Sequence, residues 1–159
     1  MIAKVGAGGK VCIFTSAATD VVVDVSGDFT SFTSFAPLTA PARLLDTRPP
    51  PDGATIDGQT VGVGRRTGGT VFELPVAGRA GVPGDAGTVV LNVTAVSPSG
   101  PGYLTVYPCG VPRPNAANVT YVTGQIVPNA VIAKLGDGKV CVFTYATTDL
   151  VIDVAGTLV

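Results

Sequence analysis

Residues 131–158 read VIAKLGDGKVCVFTYATTDLVIDVAGTL, and this stretch is present twice in the chain. Residues 2–27 read IAKVGAGGKVCIFTSAATDVVVDVSG, and most positions are identical once one extra residue is allowed in the glycine turn. We call residues 2–27 the N-terminal copy and residues 131–158 the C-terminal copy. In each copy, two runs rich in β-branched residues are separated by small polar residues, which predicts a pair of strands. The predicted strands are 10–15 and 20–25 in the first copy, and 139–144 and 149–154 in the second.

The rest of the chain continues the same pattern. Further strands are predicted at residues 59–63, 70–76, 88–96, 102–107, 117–122 and 127–135, with Gly, Pro, Asn, Asp or Ser between most of them. No run of ten or more residues has a helical period without an intervening Gly or Pro. Short strands at regular spacing are typical of sandwiches and barrels. The sequence therefore predicts an all-β fold, an antiparallel β-sandwich that is jelly-roll-like and has essentially no helix.

The composition excludes several functional classes. The chain has 159 residues, of which 46% are hydrophobic and only 13% are charged, with a net charge of −1 and neither His nor Trp. A nucleic-acid partner would need a basic stripe, and none is present. No apolar run is long enough to span a membrane. Without histidine, the commonest general base and metal ligand is missing, so we expect no enzyme, no metal and no cofactor.

The two copies lie about 130 residues apart, which is too long for one coil of a solenoid repeat. This distance is the period of a whole domain. We therefore assign residues 1–30 to the C-terminal hairpin of a preceding repeat, 31–38 to a linker and 39–159 to the sandwich module. In an alternative, the N-terminal copy is an exchanged strand pair that fills the place of the C-terminal copy. Chains that exchange hairpins in this way would associate head to tail with other copies of the module.

The three cysteines bear on the same choice. Cys12 and Cys141 occupy the same position in the two copies, whereas Cys109 occurs once. In an extracellular module we expect a Cys109–Cys141 disulfide, which would leave Cys12 free. The exchanged arrangement would instead pair Cys12 with Cys109. A third reading keeps all three cysteines reduced and buried.

Four phrases together resemble a known type of module: ARLLDTR at 42–48, VLNVTAV at 90–96, GYLTVYP at 102–108 and DLVIDVAG at 149–156. They are similar to tandem β-rich repeat modules of secreted and cell-surface proteins of actinobacteria and related bacteria. The resemblance covers residues 36–158, and residues 2–29 match the end of a preceding module. It implies an extracellular location and modularity, and it brings no catalytic residues. No signal peptide is visible at the N-terminus, so we expect the export signal upstream of these residues.

Two groups of side chains are candidates for a site. In a chain with few charges, an internal polar network is the favoured interpretation of the first group, because buried arginines need carboxylate partners. That network comprises Arg43, Asp46, Arg48, Asp149 and Asp153. Exposed tyrosines could instead stack on a glycan. These are Tyr103, Tyr107, Tyr121 and Tyr145.

The expected function is therefore that of a non-enzymatic, extracellular structural or adhesive repeat module in a surface protein or fibre. Assembly by exchange of the duplicated hairpin would be one way to build such a fibre. The alternative is a carbohydrate-binding accessory module of a secreted hydrolase.

Overall fold

The structure is a computed structural model and describes residues 5–25, 28 and 35–158. In this part of the chain, all regular secondary structure is β-strand, which confirms the predicted all-β sandwich. The strands are β1 (Phe35–Asp46), β2 (Thr70–Pro75), β3 (Thr88–Val96), β4 (Gly102–Pro108), β5 (Val119–Tyr121), β6 (Ile126–Lys134), β7 (Lys139–Thr144) and β8 (Asp149–Leu158).

The strands form two four-stranded antiparallel sheets. The first sheet has the order β1-β8-β3-β6, and the second has the order β2-β7-β4-β5. The first strand thus pairs with the last, β2 with β7, β3 with β6 and β4 with β5. This is one long antiparallel ribbon folded over on itself, which is the jelly-roll form of the β-sandwich.

Alternating side chains of the two sheets build the core between them. In β3, the side chains of Val89, Leu91, Val93 and Ala95 are all buried. They share one face of the strand because successive side chains point to opposite faces. The fully buried Leu104 of β4 belongs to the same core cluster. The period-two alternation therefore decides which face of β3 is inside.

The C-terminal copy contributes a strand to the middle of both sheets. β8 lies between β1 and β3, and β7 lies between β2 and β4. We call the two adjoining positions that β7 and β8 occupy the slot. Each sheet would lose its continuity without the strand that fills the slot, because β1 and β2 would have no hydrogen-bonded neighbour in their sheets.

A disulfide joins Cys109, which follows β4, to Cys141 in β7. Their Cα atoms lie 5.0 Å apart, and Cys12 is free and exposed. The predicted Cys109–Cys141 pairing is therefore confirmed, and the alternative Cys12–Cys109 pairing is not the one that this fold contains. Such a bond indicates folding in an oxidising compartment.

The prediction of two strands in the N-terminal copy is wrong for this fold. Residues 10–15 and 20–25 contain no strand, and residues 5–25 are exposed throughout. The slot that the same sequence fills in the C-terminal copy is already occupied by β7 and β8. A strand without a neighbour cannot satisfy its backbone groups through a sheet, so water must solvate them.

The boundary between the linker and the module also differs from the prediction. β1 begins at Phe35, inside the predicted linker 31–38, and residues 31–34 of that linker lie outside the described residues. Phe35 pairs opposite Leu158, and a Cβ on Gly156 would lie 2.6 Å from both the Ala36 carbonyl oxygen and the Phe35 ring. The bare backbone of Gly156 therefore lets β1 start early.

The strand predicted at 59–63 is a series of turns instead. Gly58, Thr60, Gly62 and Gly64 all have positive φ angles, between 57° and 71°. Extended strands need negative φ angles, so this segment cannot join a sheet.

Replacing both Cys109 and Cys141 with Ala should lower the free energy of unfolding by about 3 kcal/mol. The disulfide closes a loop and so reduces the conformational entropy of the unfolded chain, and the double variant loses this effect. Urea denaturation measures this change. Cys12→Ala is the matched control and should leave the midpoint unchanged, since Cys12 is exposed and unbonded. An equal loss in both variants would contradict the role assigned to the disulfide.

Candidate functional site

The densest group of charges lies where β1 meets β8. The Arg43 guanidinium donates from Nε to Asp153 Oδ1 at 2.8 Å and from Nη2 to Asp153 Oδ2 at 3.2 Å. Its Nη1 also donates to Asp46 Oδ2 at 3.0 Å. Arg43 and Asp153 are opposite each other in the ladder, so strand register sets this pair. The hydrogen bond to Asp153 raises the pKa of Arg43 above its ordinary value.

Asp46 is the buried centre of this group, with a side chain only 1% exposed. Arg48 donates to it from Nε at 2.9 Å, from Nη2 at 2.7 Å and from the backbone N–H at 3.1 Å. Burial acts to raise the pKa of Asp46, but the hydrogen bonds from Arg48 and the charges of Arg48 and Arg43 outweigh it, so the pKa lies below its usual value. Asp46 therefore stays a carboxylate at neutral pH and joins the two arginines.

The third carboxylate of the predicted network, Asp149, has other partners. The Thr47 hydroxyl donates to its Oδ1 at 2.9 Å, and Arg65 Nη1 donates to its Oδ2 at 2.6 Å. The Leu150 N–H in turn donates to the Thr47 hydroxyl at 2.9 Å. The structure thus brings Arg43, Asp46, Arg48 and Asp153 into one network and places Asp149 in a second, neighbouring pair. Sequence reasoning missed Arg65, and nothing in its local pattern identifies its partner.

Sequence reasoning also missed the most buried arginine pair. Arg79 has a side chain only 4% exposed and donates to both oxygens of Asp57, at 2.8 and 2.9 Å. It also donates to the carbonyls of Pro75 and Leu44, at 2.8 and 3.1 Å. The hydrogen bonds from Arg79 lower the pKa of Asp57 to about 2. This pair fastens the turns at 57–64 to the ends of β1 and β2.

An open groove of about 540 Å³ lies beside these pairs, with Thr47, Arg48, Pro50, Gly64, Arg65 and Asp149 among its lining residues. Two arginines on its wall could in principle hold an anion. Arg48 is already bonded to Asp46, and Arg65 is already bonded to Asp149 and to the Ser97 carbonyl. The groove therefore offers charges that are already neutralised by the protein.

The tyrosines divide into two buried and two accessible side chains. Tyr107 is 7% exposed and Tyr121 is 2% exposed, so neither can contact a glycan as the sequence suggested. The Tyr121 hydroxyl lies 3.2 Å from the Thr144 hydroxyl and accepts from the Ala146 N–H at 3.2 Å. Both rings pack against neighbouring side chains in buried clusters of the second sheet.

Tyr103 and Tyr145 are the accessible pair. Their rings are stacked with centroids 5.3 Å apart, and Tyr145 is 59% exposed. Tyr103 also packs against Phe143 at 5.8 Å, and the Arg113 guanidinium lies 4.0 Å above the Phe143 ring centroid. Arg113 Nη1 donates to the Tyr103 hydroxyl at 3.1 Å. The pair is thus one end of an aromatic layer that covers the outer face of the second sheet beside the disulfide.

Asp46→Asn should lower the free energy of unfolding by about 3 kcal/mol, because it leaves two arginines without their buried carboxylate. Asp52→Asn is the matched control, since Asp52 is 58% exposed and lies 3.5 Å from Arg48. It should cost less than about 0.5 kcal/mol. Chemical denaturation of both variants measures the difference, and equal stabilities would show that the network holds no strands together.

The described part of the chain contains no group of three or more metal-ligating side chains and no helix long and apolar enough to cross a membrane. Comparison of the chain with models of known protein families, with curated proteins and with solved structures finds no match.

Proposed function

We propose that residues 39–159 are a non-enzymatic structural or adhesive module of an extracellular surface protein or fibre. In this proposal, residues 1–30 carry the closing hairpin of a preceding module. One observation carries it: apolar side chains of the N-terminal copy are exposed, while their equivalents in the C-terminal copy are buried. Phe14 is 90% exposed and its equivalent Phe143 is 9% exposed, and Val25 is 86% exposed where Val154 is fully buried.

Exposed apolar side chains of this number indicate a missing partner. The partner that fits is the one that the C-terminal copy already has, a jelly-roll body with an open slot. A preceding module of the same kind would supply such a body. The N-terminal copy would then be β7 and β8 of that module.

The positions of the chain ends suit an array. β1 and β8 are antiparallel neighbours, and Phe35 lies opposite Leu158. The chain therefore enters and leaves the sandwich at the same end. Only a few residues are then needed between β8 of one module and β1 of the next.

The polar groups support a structural role. The buried charges join strands and turns within the module, as the Asp46 and Arg79 contacts show. Such internal pairs hold a conformation and leave little charge for a ligand. The disulfide adds a covalent tie between β7 and the end of β4, which suits a protein that must persist outside the cell.

Head-to-tail exchange of hairpins between copies is a less favourable way to build a fibre. Each chain offers one slot and two hairpins, so every exchanged assembly still has one surplus hairpin per chain. Exchange between copies therefore leaves the number of paired strands per chain unchanged. A preceding module with an open slot would instead pair both strands of the surplus hairpin. For this reason we propose the tandem array.

Carbohydrate binding is the second proposal, and it now depends on Tyr103 and Tyr145 alone. One face of Tyr145 is already covered by Tyr103, so one ring face is left for a sugar. A single ring face provides little area for a specific glycan site. The structural module is therefore the proposal that the contacts favour.

The proposed function is tested in the organism that produces the protein. Antibodies raised against the folded sandwich should label intact cells, and limited proteolysis of the cell-surface fraction should release a ladder of fragments spaced by one module. The ladder is expected because proteases cut the short exposed connections before the disulfide-bonded sandwiches. Antigen confined to the cytoplasm, or a single species without a ladder, would refute the array.

A further inference from the structure

We propose that the N-terminal copy can also enter the slot of its own chain. Residues 10–25 would then replace residues 139–154 of β7 and β8 in the same register, with Cys12 bonded to Cys109, and the C-terminal copy would be released. The sandwich thus has two interchangeable closing hairpins, one in place and one in reserve. This goes beyond the proposed function, because it assigns a second folded state to a single chain.

The apolar side chains fit this replacement. Val11, Phe14, Val22 and Val25 are identical to Val140, Phe143, Val151 and Val154 at the equivalent positions, all buried in the sandwich. Three further buried positions differ by one methylene group: Ile13 replaces Val142, Val21 replaces Leu150, and Val23 replaces Ile152. Cores tolerate such changes when pattern and total volume are preserved.

The polar side chains fit as well. Asp20 would take the place of Asp149, which accepts from Thr47 and Arg65. Asp24 would take the place of Asp153, which accepts twice from Arg43.

At the start of β7, Lys10 would replace Lys139, whose Nζ donates to Glu73 at 2.9 Å. The charged partners that the body offers to its hairpin therefore meet the same charges from either copy. A segment that bound through apolar side chains alone would not reproduce these charge pairs.

Cys12 would stand where Cys141 stands, and the Cα atoms of Cys141 and Cys109 lie 5.0 Å apart. The exchange needs no oxidant. The Cys12 thiol loses its proton, and the thiolate attacks the Cys109 sulfur. The Cys12–Cys109 bond forms as the Cys109–Cys141 bond breaks, and Cys141 leaves as a thiolate that takes up a proton.

The chain connection allows this within one molecule. In the equivalent register, Val25 would occupy the place of Val154, which lies opposite Ala42. Nine residues separate Val25 from Phe35 in the sequence, which is enough chain to join the two neighbouring strands, because an extended residue spans about 3.3 Å. The long connection that a permuted strand order usually requires is therefore not needed here.

Several differences explain why the C-terminal copy is the one in place. Tyr145, which stacks on Tyr103, is replaced by Ser16 in the N-terminal copy. Thr147, whose hydroxyl accepts from the Gly68 N–H at 3.0 Å, is replaced by Ala18. The buried Thr157 corresponds to Asp28. Each change favours the C-terminal copy, so the reserve state is populated only when that copy is weakened.

The test weakens one copy at a time in the full chain. Ile152→Asp places a carboxylate at a fully buried position, whereas Val23→Asp makes the same change at the equivalent position, where Val23 is 60% exposed. Ile152→Asp should remain folded and monomeric, with a Cys12–Cys109 disulfide by mapping of non-reduced peptides and with Cys141 open to alkylation. Val23→Asp should keep Cys109–Cys141, and the double variant should unfold.

A second variant avoids the buried charge. Cys141→Ser removes the competing thiol while the body stays intact, and the Cys12–Cys109 bond should then form in most molecules under oxidising conditions. The proposal is overturned if Ile152→Asp unfolds, if Cys12 stays free in Cys141→Ser, or if the Cys12–Cys109 bond joins different chains. The first two results would leave the array unaffected, because it needs only the C-terminal copy in this sandwich, whereas a bond between different chains would favour head-to-tail exchange of hairpins over the array.

Discussion

The filling of the slot by the C-terminal hairpin is the contact on which the rest of the structure depends. β8 separates β1 from β3, and β7 separates β2 from β4, so one hairpin completes both sheets. Burial of a large aliphatic side chain contributes about 1.5–3 kcal/mol, and Val140, Leu150, Ile152 and Val154 are all fully buried. The disulfide fastens β7 to the end of β4, and the Arg43–Asp153 pair fastens β8 to β1.

The few charges of the chain are used mainly to hold it together. Asp46, Asp149 and Arg79 are buried, and each is bonded to an opposite charge. A buried ion pair adds little stability compared with apolar residues of the same volume, but it is costly to break. These pairs therefore specify how turns and strand ends meet in a molecule whose apolar strands resemble one another. The same use of charge leaves Arg48 and Arg65, which line the groove, already bonded to carboxylates of the protein.

Much of the fold could be predicted because alternation of side chains is visible in the sequence. The predicted strands at 88–96 and 139–144 agree with β3 and β7 residue for residue. β1 was not predicted, because Pro37 and Pro41 interrupt its pattern and its early start depends on the space left by Gly156. Within the site, the Arg43–Asp153 pair follows from a charge pattern, whereas the partners of Arg65 and Arg79 are set by turns that only the folded chain brings together.

The N-terminal copy shows the limit of such prediction most clearly. Almost the same residues form two central strands at one end of the chain and none at the other, because strand formation depends on neighbours as well as on propensity. Amide hydrogen exchange measured residue by residue tests this account most directly. We expect strong protection of the amide hydrogens of β7 and β8, and exchange at the rate of an unfolded chain for residues 11–25. Comparable protection in the two copies would contradict it, since both cannot occupy one slot.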